Sequence, residues 1–167
     1  MDKEEGPRAR VVFRSALPAD ASAVSDVYLA SRKTFLPYAS LAHTDEEVRQ
    51  WIAGILIPGG QVSVAVLDGE VVGMMALSRE KGAGWIDQLY LHPRAVGLGL
   101  GGQFVDQAKA ALGSPIRLYT FQANSGARRF YERHGFRVIE FGDGSGNEER
   151  CPDVLYEWRL LLEVATG

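Results

Sequence analysis

"HPRAVGLGLGG" (residues 92–102) places four glycines within six positions, at 97, 99, 101 and 102, and runs straight into residues with helical spacing. Glycine at that density lets another group come close to the main chain. Small residues at the start of a helix also turn unpaired backbone NH groups, reinforced by the helix dipole, toward an anion. The fold therefore turns on which phosphorylated group, if any, this loop meets.

Two answers fail on the flanking sequence. Gly97, Gly99 and Gly102 satisfy G-x-G-x-x-G, but a dinucleotide-binding unit needs its strand to run directly into the first glycine. It also needs an acidic residue about 20 positions on. Here "HPRAV" intervenes, and the next strand-like run, "IRLYTFQ", carries no acid. A nucleoside-triphosphate loop would continue into Gly-Lys-Ser or Gly-Lys-Thr, which is missing.

Outward from the loop, the chain alternates between two periods. Upstream, "GWIDQLYLHP" reads as a strand stopped by Pro93. Before it "QVSVAVLDGEVVGMMALS" reads as a hairpin, because Asp68-Gly69 supplies the positive φ angles of a tight turn. "RVVFRSAL" is a first strand. "PADASAVSDVYLASRKTFL" follows with Ala23, Val24, Val27 and Tyr28 at helical spacing and Asp20 or Ser22 as its cap. "HTDEEVRQWIAGIL" is a second helix, opened by a Thr44–Glu47 capping box and carrying Val48, Trp51, Ile52 and Ile55 on one face.

Downstream, Phe104, Val105, Ala108 and Leu112 mark the apolar side of the helix after the loop. "PIRLYTFQ" is a strand, and "NSGARRFYERHGF" a short helix ended by Gly135. "RVIEF" and "PDVLYEWRLL" close the chain as a strand pair around the polar loop "GDGSGNEERC". The order is mixed α and β around one sheet, an α+β fold in a single domain over residues 1–167, with residues 1–9 as a flexible lead.

Composition narrows the function classes. The 167 residues are 46% hydrophobic and 23% charged, with a formal net charge of -3. No basic field therefore recruits nucleic acid. Cys151 is the only cysteine, and His43, His92 and His134 are scattered, which argues against a disulfide framework and a metal centre. No stretch reaches the roughly 20 apolar residues that span a bilayer, and "MDKEEGPRAR" is no secretory leader. A soluble cytoplasmic protein is expected.

Arg94-Ala95-Val96-Gly97-Leu98-Gly99 is R-x-x-G-x-G between a strand and a helix, and there the chain resembles the GNAT superfamily of acetyl-CoA-dependent N-acetyltransferases. Past the next strand, "NSGARRFYERHGF" resembles the same family's downstream segment. Asn124 starts that helix. Tyr131 lies two turns later on the same face.

The resemblance implies a central mixed, mostly antiparallel sheet of about six to seven strands with helices on both faces. The strands at 85–91 and 116–122 would splay into a V. It implies acetyl-CoA as acyl donor, with the coenzyme A pyrophosphate over Arg94, Val96, Gly97, Leu98, Gly99, Leu100, Gly101 and Gly102. The pantetheine arm would lie along Leu89, Tyr90 and Leu91, with Asn124 and Tyr131 beside it. One backbone NH among residues 89–91 would polarise the thioester carbonyl. Tyr131 matches the position that protonates the leaving thiolate.

The base that takes the amine's proton stays open among Asp87, Glu148 and Glu149. Asp87 is the only acid in its strand, and strict alternation places it on the face of Leu89 and Leu91. Glu148 and Glu149 sit in the 142–153 loop, read as a mobile lip over the substrate. His92 reads as a strand-end residue and Cys151 as a bystander.

The leading expectation is acetyl transfer to a primary amine, of a small molecule or a protein. A noncatalytic acyl-CoA-binding module is the alternative, and a nucleotide-binding oxidoreductase is disfavoured by the missing acid. The partners expected are acetyl-CoA and an amine, without nucleic acid or membrane. An exposed hairpin or C-terminal strand leaves a homodimer open.

Overall fold

The computed structural model describes residues 10–39 and 41–161. The proposed N-terminal lead lies outside them. A seven-stranded sheet runs in the order β1-β2-β3-β4-β5-β7-β6. Its strands are β1 (Val11–Ser15), β2 (Val62–Leu67), β3 (Glu70–Glu80), β4 (Ala83–Leu91), β5 (Ile116–Phe121), β6 (Arg137–Gly142) and β7 (Asp153–Trp158). Helices α1 (Ala21–Phe35) and α2 (Asp45–Trp51) cover one face, and α3 (Leu100–Leu112) and α4 (Ser125–Arg133) the other. Every neighbouring pair is antiparallel except β4 and β5, which are parallel.

Local signals form as the sequence directs. Thr44 Oγ1 accepts from Glu47 NH, and Glu47 returns a carboxylate to Thr44 NH, completing the capping box. Past Trp51 the helix continues as a π turn, Ile52–Leu56. Asp68 and Gly69 both take positive φ between β2 and β3. Asp20 stands at the N-cap of α1 but makes no side-chain cap there. Its carboxylate instead takes Leu17 NH at 2.7 Å and the Arg14 guanidinium at 2.6 and 3.0 Å, tying β1 to the helix start.

Two apolar layers sandwich the sheet. On one side Phe104, Val105, Ala108 and Leu112 of α3 pack with Ile86, Ile116, Leu118, Tyr131, Phe136 and Tyr156. Phe104 is fully buried and meets Phe13 edge to face at 5.0 Å. On the other side Val24, Val27 and Tyr28 of α1 pack with Val48, Ile52, Val64 and Met74. The chain closes when β7 inserts between β5 and β6, so the last hairpin joins the sheet through its second strand.

Two features of β4 position the site. Its parallel pairing with β5 is confined to Gly84 with Ile116 and Trp85 with Arg117. Beyond Trp85 the strands part, forming the expected V. On its other edge β4 stays paired to β3 up to Leu91, but the register slips between Ile86 and Gln88, which oppose Leu77 and Ala76. Asp87 is left as a bulge, and the bulge changes the parity of the strand.

Candidate active site

Asp87 is therefore not on the face that alternation assigned to it. Gly84 and Ile86 meet α3 and its layer, and after the extra residue Leu89 and Leu91 do so too. Asp87 projects to the other face and lines the same cavity as Gln88 and Tyr90. A period of two holds only while a strand keeps register with its neighbour, and here it does not. The Asp87 carboxyl is pushed above the ordinary carboxylate range by desolvation, with the Glu80 charge adding and a Ser78 hydrogen bond opposing.

At the far end of β4 the chain turns through Pro93–Ala95 into the glycine loop. Gly97 and Gly99 have φ of +87° and +79°, and a Cβ on either would meet open space. That left-handed region is one glycine enters without strain. Gly101 and Gly102 do different work. A Cβ there would sit 3.2 Å from Phe130 and from His134, so these two let α4 pack closely against α3. The first hydrogen bond into α3 runs from Gln103 NH to Gly99 C=O at 3.2 Å. The NH groups of Leu100, Gly101 and Gly102 are thus left in the unpaired first turn. Val96 and Leu98 stand about half exposed beside it. Arg94 bonds Glu70 at 2.6 Å, both side chains being largely exposed.

Because β5 has diverged, the β4 edge at Leu89, Tyr90 and Leu91 has no strand beside it on that side. This bare edge ends at the glycine loop. On the α3 and α4 side, Asn124 caps α4 by accepting Ala127 NH at 3.1 Å, which commits its carbonyl oxygen and leaves its amide NH2. Tyr131 is buried among Phe130, Phe136 and Tyr156, at ring-centroid distances of 5.1, 5.7 and 6.3 Å. Burial, with the neighbouring Tyr90 adding, pushes its phenol well above the ordinary value.

Opposite lies an open cavity of about 1300 Å³. Its walls are α1, α2 and the segment joining them, β4 at Asp87, Gln88 and Tyr90, the ends of β5 and β6, and the loop that leads into β7. That loop returns over the open side of the sheet, as its sequence suggested, but is tied down. Asn147 donates to Cys151 C=O at 2.7 Å and Asp153 at 3.2 Å, and accepts from Cys151 NH at 3.2 Å.

Glu149 and Glu148 are both engaged. Glu149 pairs with Arg32 of α1 at 3.1 Å, where the arginine side chain is only 5% exposed. Arg32 also donates to the Tyr90 hydroxyl at 3.3 Å and stacks over the Tyr28 ring. Glu148 meets His43 at 2.9 Å, and His43 reaches Glu47 at 3.3 Å, so the α1–α2 segment and the loop touch across the cavity mouth. The two carboxylates push His43 upward. Sequence reading passed over Arg32, since a basic residue in the last turn of a helix ordinarily points to solvent.

A sheet opened between two parallel strands, with a glycine loop and helix N-terminus at the open end, defines the acetyltransferase architecture that the sequence resembled. The chain belongs to the acetyltransferase (GNAT) family, whose sequence model matches residues 26–136. Solved structures of the same fold include the apo form of YjaB from Escherichia coli, with a TM-score of 0.72 at 20% identity over 89% of this chain and 97% of that one. PaiA N-acetyltransferase from Thermoplasma acidophilum, in complex with coenzyme A, gives 0.71 at 20% identity over 90% and 99%. Ard1 from Thermoplasma volcanium gives 0.71 at 18% over 91% and 99%. No curated protein matches the sequence significantly. Among the described residues no helix is long and apolar enough to cross a membrane, and no three metal-ligating side chains cluster.

Proposed function

We propose that the protein transfers the acetyl group of acetyl-CoA to a primary amine by direct attack within a ternary complex. The observation that carries this reading is the bare β4 edge, Leu89 to Leu91, running into the unpaired NH groups at the start of α3. The edge offers main-chain partners to an amide-bearing arm, and the helix start offers positive partial charge to a pyrophosphate. Tyr131 is close enough to Tyr90 of that edge to feel its charge, and Tyr90 also lines the separate cavity read as the acceptor's.

Each residue then has a task. The loop from Arg94 to Gly102 holds the pyrophosphate, chiefly through NH groups; Gly97 and Gly99 keep the approach open. Asn124 contributes its NH2 to the same arm. A backbone NH among Leu89, Tyr90 and Leu91 faces the carbonyl oxygen as it gains charge. Tyr131 donates a hydrogen bond to the sulfur, whose thiol has a pKa of about 8.5 when free. Asp87, on the acceptor side, receives a proton through water from the nitrogen as it bonds the thioester carbon. Its carboxylate is far too weak a base for the free ammonium of pKa about 10, so the amine attacks in its neutral form and its N–H turns acidic only as that bond forms. Glu148 and Glu149 hold the loop over the acceptor.

Gly99→Val tests the loop. At Gly99 the backbone holds φ at +79° with open space beyond the Cα. A β-branched side chain in that conformation is strained and points into the anion's approach. Acetyl-CoA affinity should therefore fall about tenfold or more, a differential of about 1.4 kcal/mol. Calorimetric titration with acetyl-CoA reads this; unchanged affinity would move the pyrophosphate elsewhere. Asp87 is tested by pH. The base works as carboxylate, so kcat/KM should rise as pH climbs through a pKa above the usual carboxylate range. Asp87→Asn should remove that limb and leave the amine's own. An identical profile in the variant would clear Asp87 of the role. The overall activity is tested by following free thiol released from acetyl-CoA across a panel of amines.

The noncatalytic acyl-CoA-binding alternative shares the loop and the strand edge. The protonated Tyr131 and the open acceptor cavity favour turnover, because a binding module requires neither.

A further inference from the structure

The acceptor cavity combines exposed apolar walls with an excess of carboxylates. Ile55 and Tyr119 line it while being 66% and 59% exposed, and Trp51 and Phe121 stand beside them. Large apolar groups left in water around a concavity mark a surface that is covered when its ligand binds. The same walls carry seven carboxylates against one arginine and one histidine, and the arginine is already neutralised by Glu149. The resulting field is negative, focused by low-dielectric walls, and the aromatic faces add their own attraction for cations.

From these walls we infer that the acceptor is a small organic cation, a primary amine on an apolar, aryl-bearing body, and that amines carrying a carboxylate are excluded. The inference rests on the acetyl-transfer reading for what happens to the amine, but the recognition it describes is a property of the cavity alone. The apolar walls cover the body while the carboxylates draw in the ammonium. A substrate carboxylate would face the same negative field. Arg32, the buried cation in the wall that could receive it, is held by Glu149 at 3.1 Å. The His43–Glu148 contact bridges the mouth from the α1–α2 segment to the loop, which suits a compact molecule entering from one side better than an extended chain passing through.

A matched set of ligands tests this without turnover. 2-Phenylethylamine, phenylalanine and 3-phenylpropionate share one aryl body and differ in charge, while putrescine is a cation without that body. Each is titrated by calorimetry and by tryptophan fluorescence into the protein alone and into the protein saturated with coenzyme A. Phenylethylamine is expected to bind about tenfold or more tighter than each of the other three. Ile55→Ala and Tyr119→Ala should each weaken it severalfold while acetyl-CoA affinity stays the same. Equal or tighter binding of phenylalanine or phenylpropionate overturns the charge assignment, and equal binding of putrescine overturns the apolar one. Failure of phenylethylamine to bind either form overturns both. Acetyl-CoA titration reads the donor side separately, so loss of the acceptor assignment with acetyl-CoA still bound leaves the transfer reading intact.

Discussion

Tyr131→Phe is expected to lower the maximal rate of acetyl transfer by about 100-fold or more, the usual scale for losing one positioned hydrogen-bond donor to charge that develops in the transition state, with acetyl-CoA affinity and fold stability nearly unchanged. The substitution removes one oxygen from a ring that remains packed against Phe130, Phe136 and Tyr156, so it opens no cavity of consequence. What it removes is a hydrogen-bond donor whose pKa burial pushes well above the ordinary phenol value. A phenol held that far up gives its hydrogen bond to a sulfur gaining charge without becoming a buried phenolate, which is the costlier species. The phenol therefore acts mainly by stabilising the departing thiolate, and the lasting proton comes from the amine. Single-turnover rates at saturating acetyl-CoA and amine measure this. An unaltered rate where chemistry is limiting would take Tyr131 out of the mechanism.

Glu149→Ala is expected to destabilise the fold by about 3 kcal/mol, the lower end of what stranding one partner of a buried ion pair costs. The Arg32 side chain is 5% exposed and Glu149 18%, so the arginine carries most of the desolvation. Without the carboxylate, Arg32 keeps only the Tyr90 hydroxyl at 3.3 Å and Ala39 C=O at 3.5 Å, while its Nε has no partner among the described residues. Denaturant titration should show the full loss for Glu149→Ala. The double variant Arg32→Met, Glu149→Gln should recover much of it, because replacing both charges removes the stranded one. Equal stability of Glu149→Ala and the parent would mean that the pair is solvated and does not fix the loop.

Much of this architecture was legible in the residues because it is set by local chemistry. The Thr44–Glu47 box, the Asp68-Gly69 turn, the apolar side of α3 and the Asn124 and Gly135 ends of α4 each follow from a few neighbouring side chains. The loop and the Asn124–Tyr131 pair, with the resemblance they carry, pointed to the V between β4 and β5. What escaped belongs to pairs of elements distant in sequence. The bulge at Asp87 is a mismatch between β3 and β4, invisible in β4 alone, and it carried Asp87 to the acceptor side. Arg32, buried against Tyr28 and Tyr90, finds its carboxylate in Glu149, 117 residues later. Gly101 and Gly102 read as loop glycines, whereas α4, two elements on, is what requires them. The 142–153 loop read as mobile from composition, and Asn147 and Glu149 anchor it through contacts that composition does not record.

Amine-dependent release of free thiol from acetyl-CoA by the parent protein, with 2-phenylethylamine as acceptor and the acetylated amine identified by mass, bears most directly on the proposed transfer. Thiol and acetylated amine should appear one to one, only when protein, acetyl-CoA and amine are all present, and Tyr131→Phe should suppress both together. Acetyl-CoA that binds and stabilises the protein, yet yields no thiol with this amine or across a broad amine panel, would contradict the transfer reading and leave a protein that holds the donor without using it.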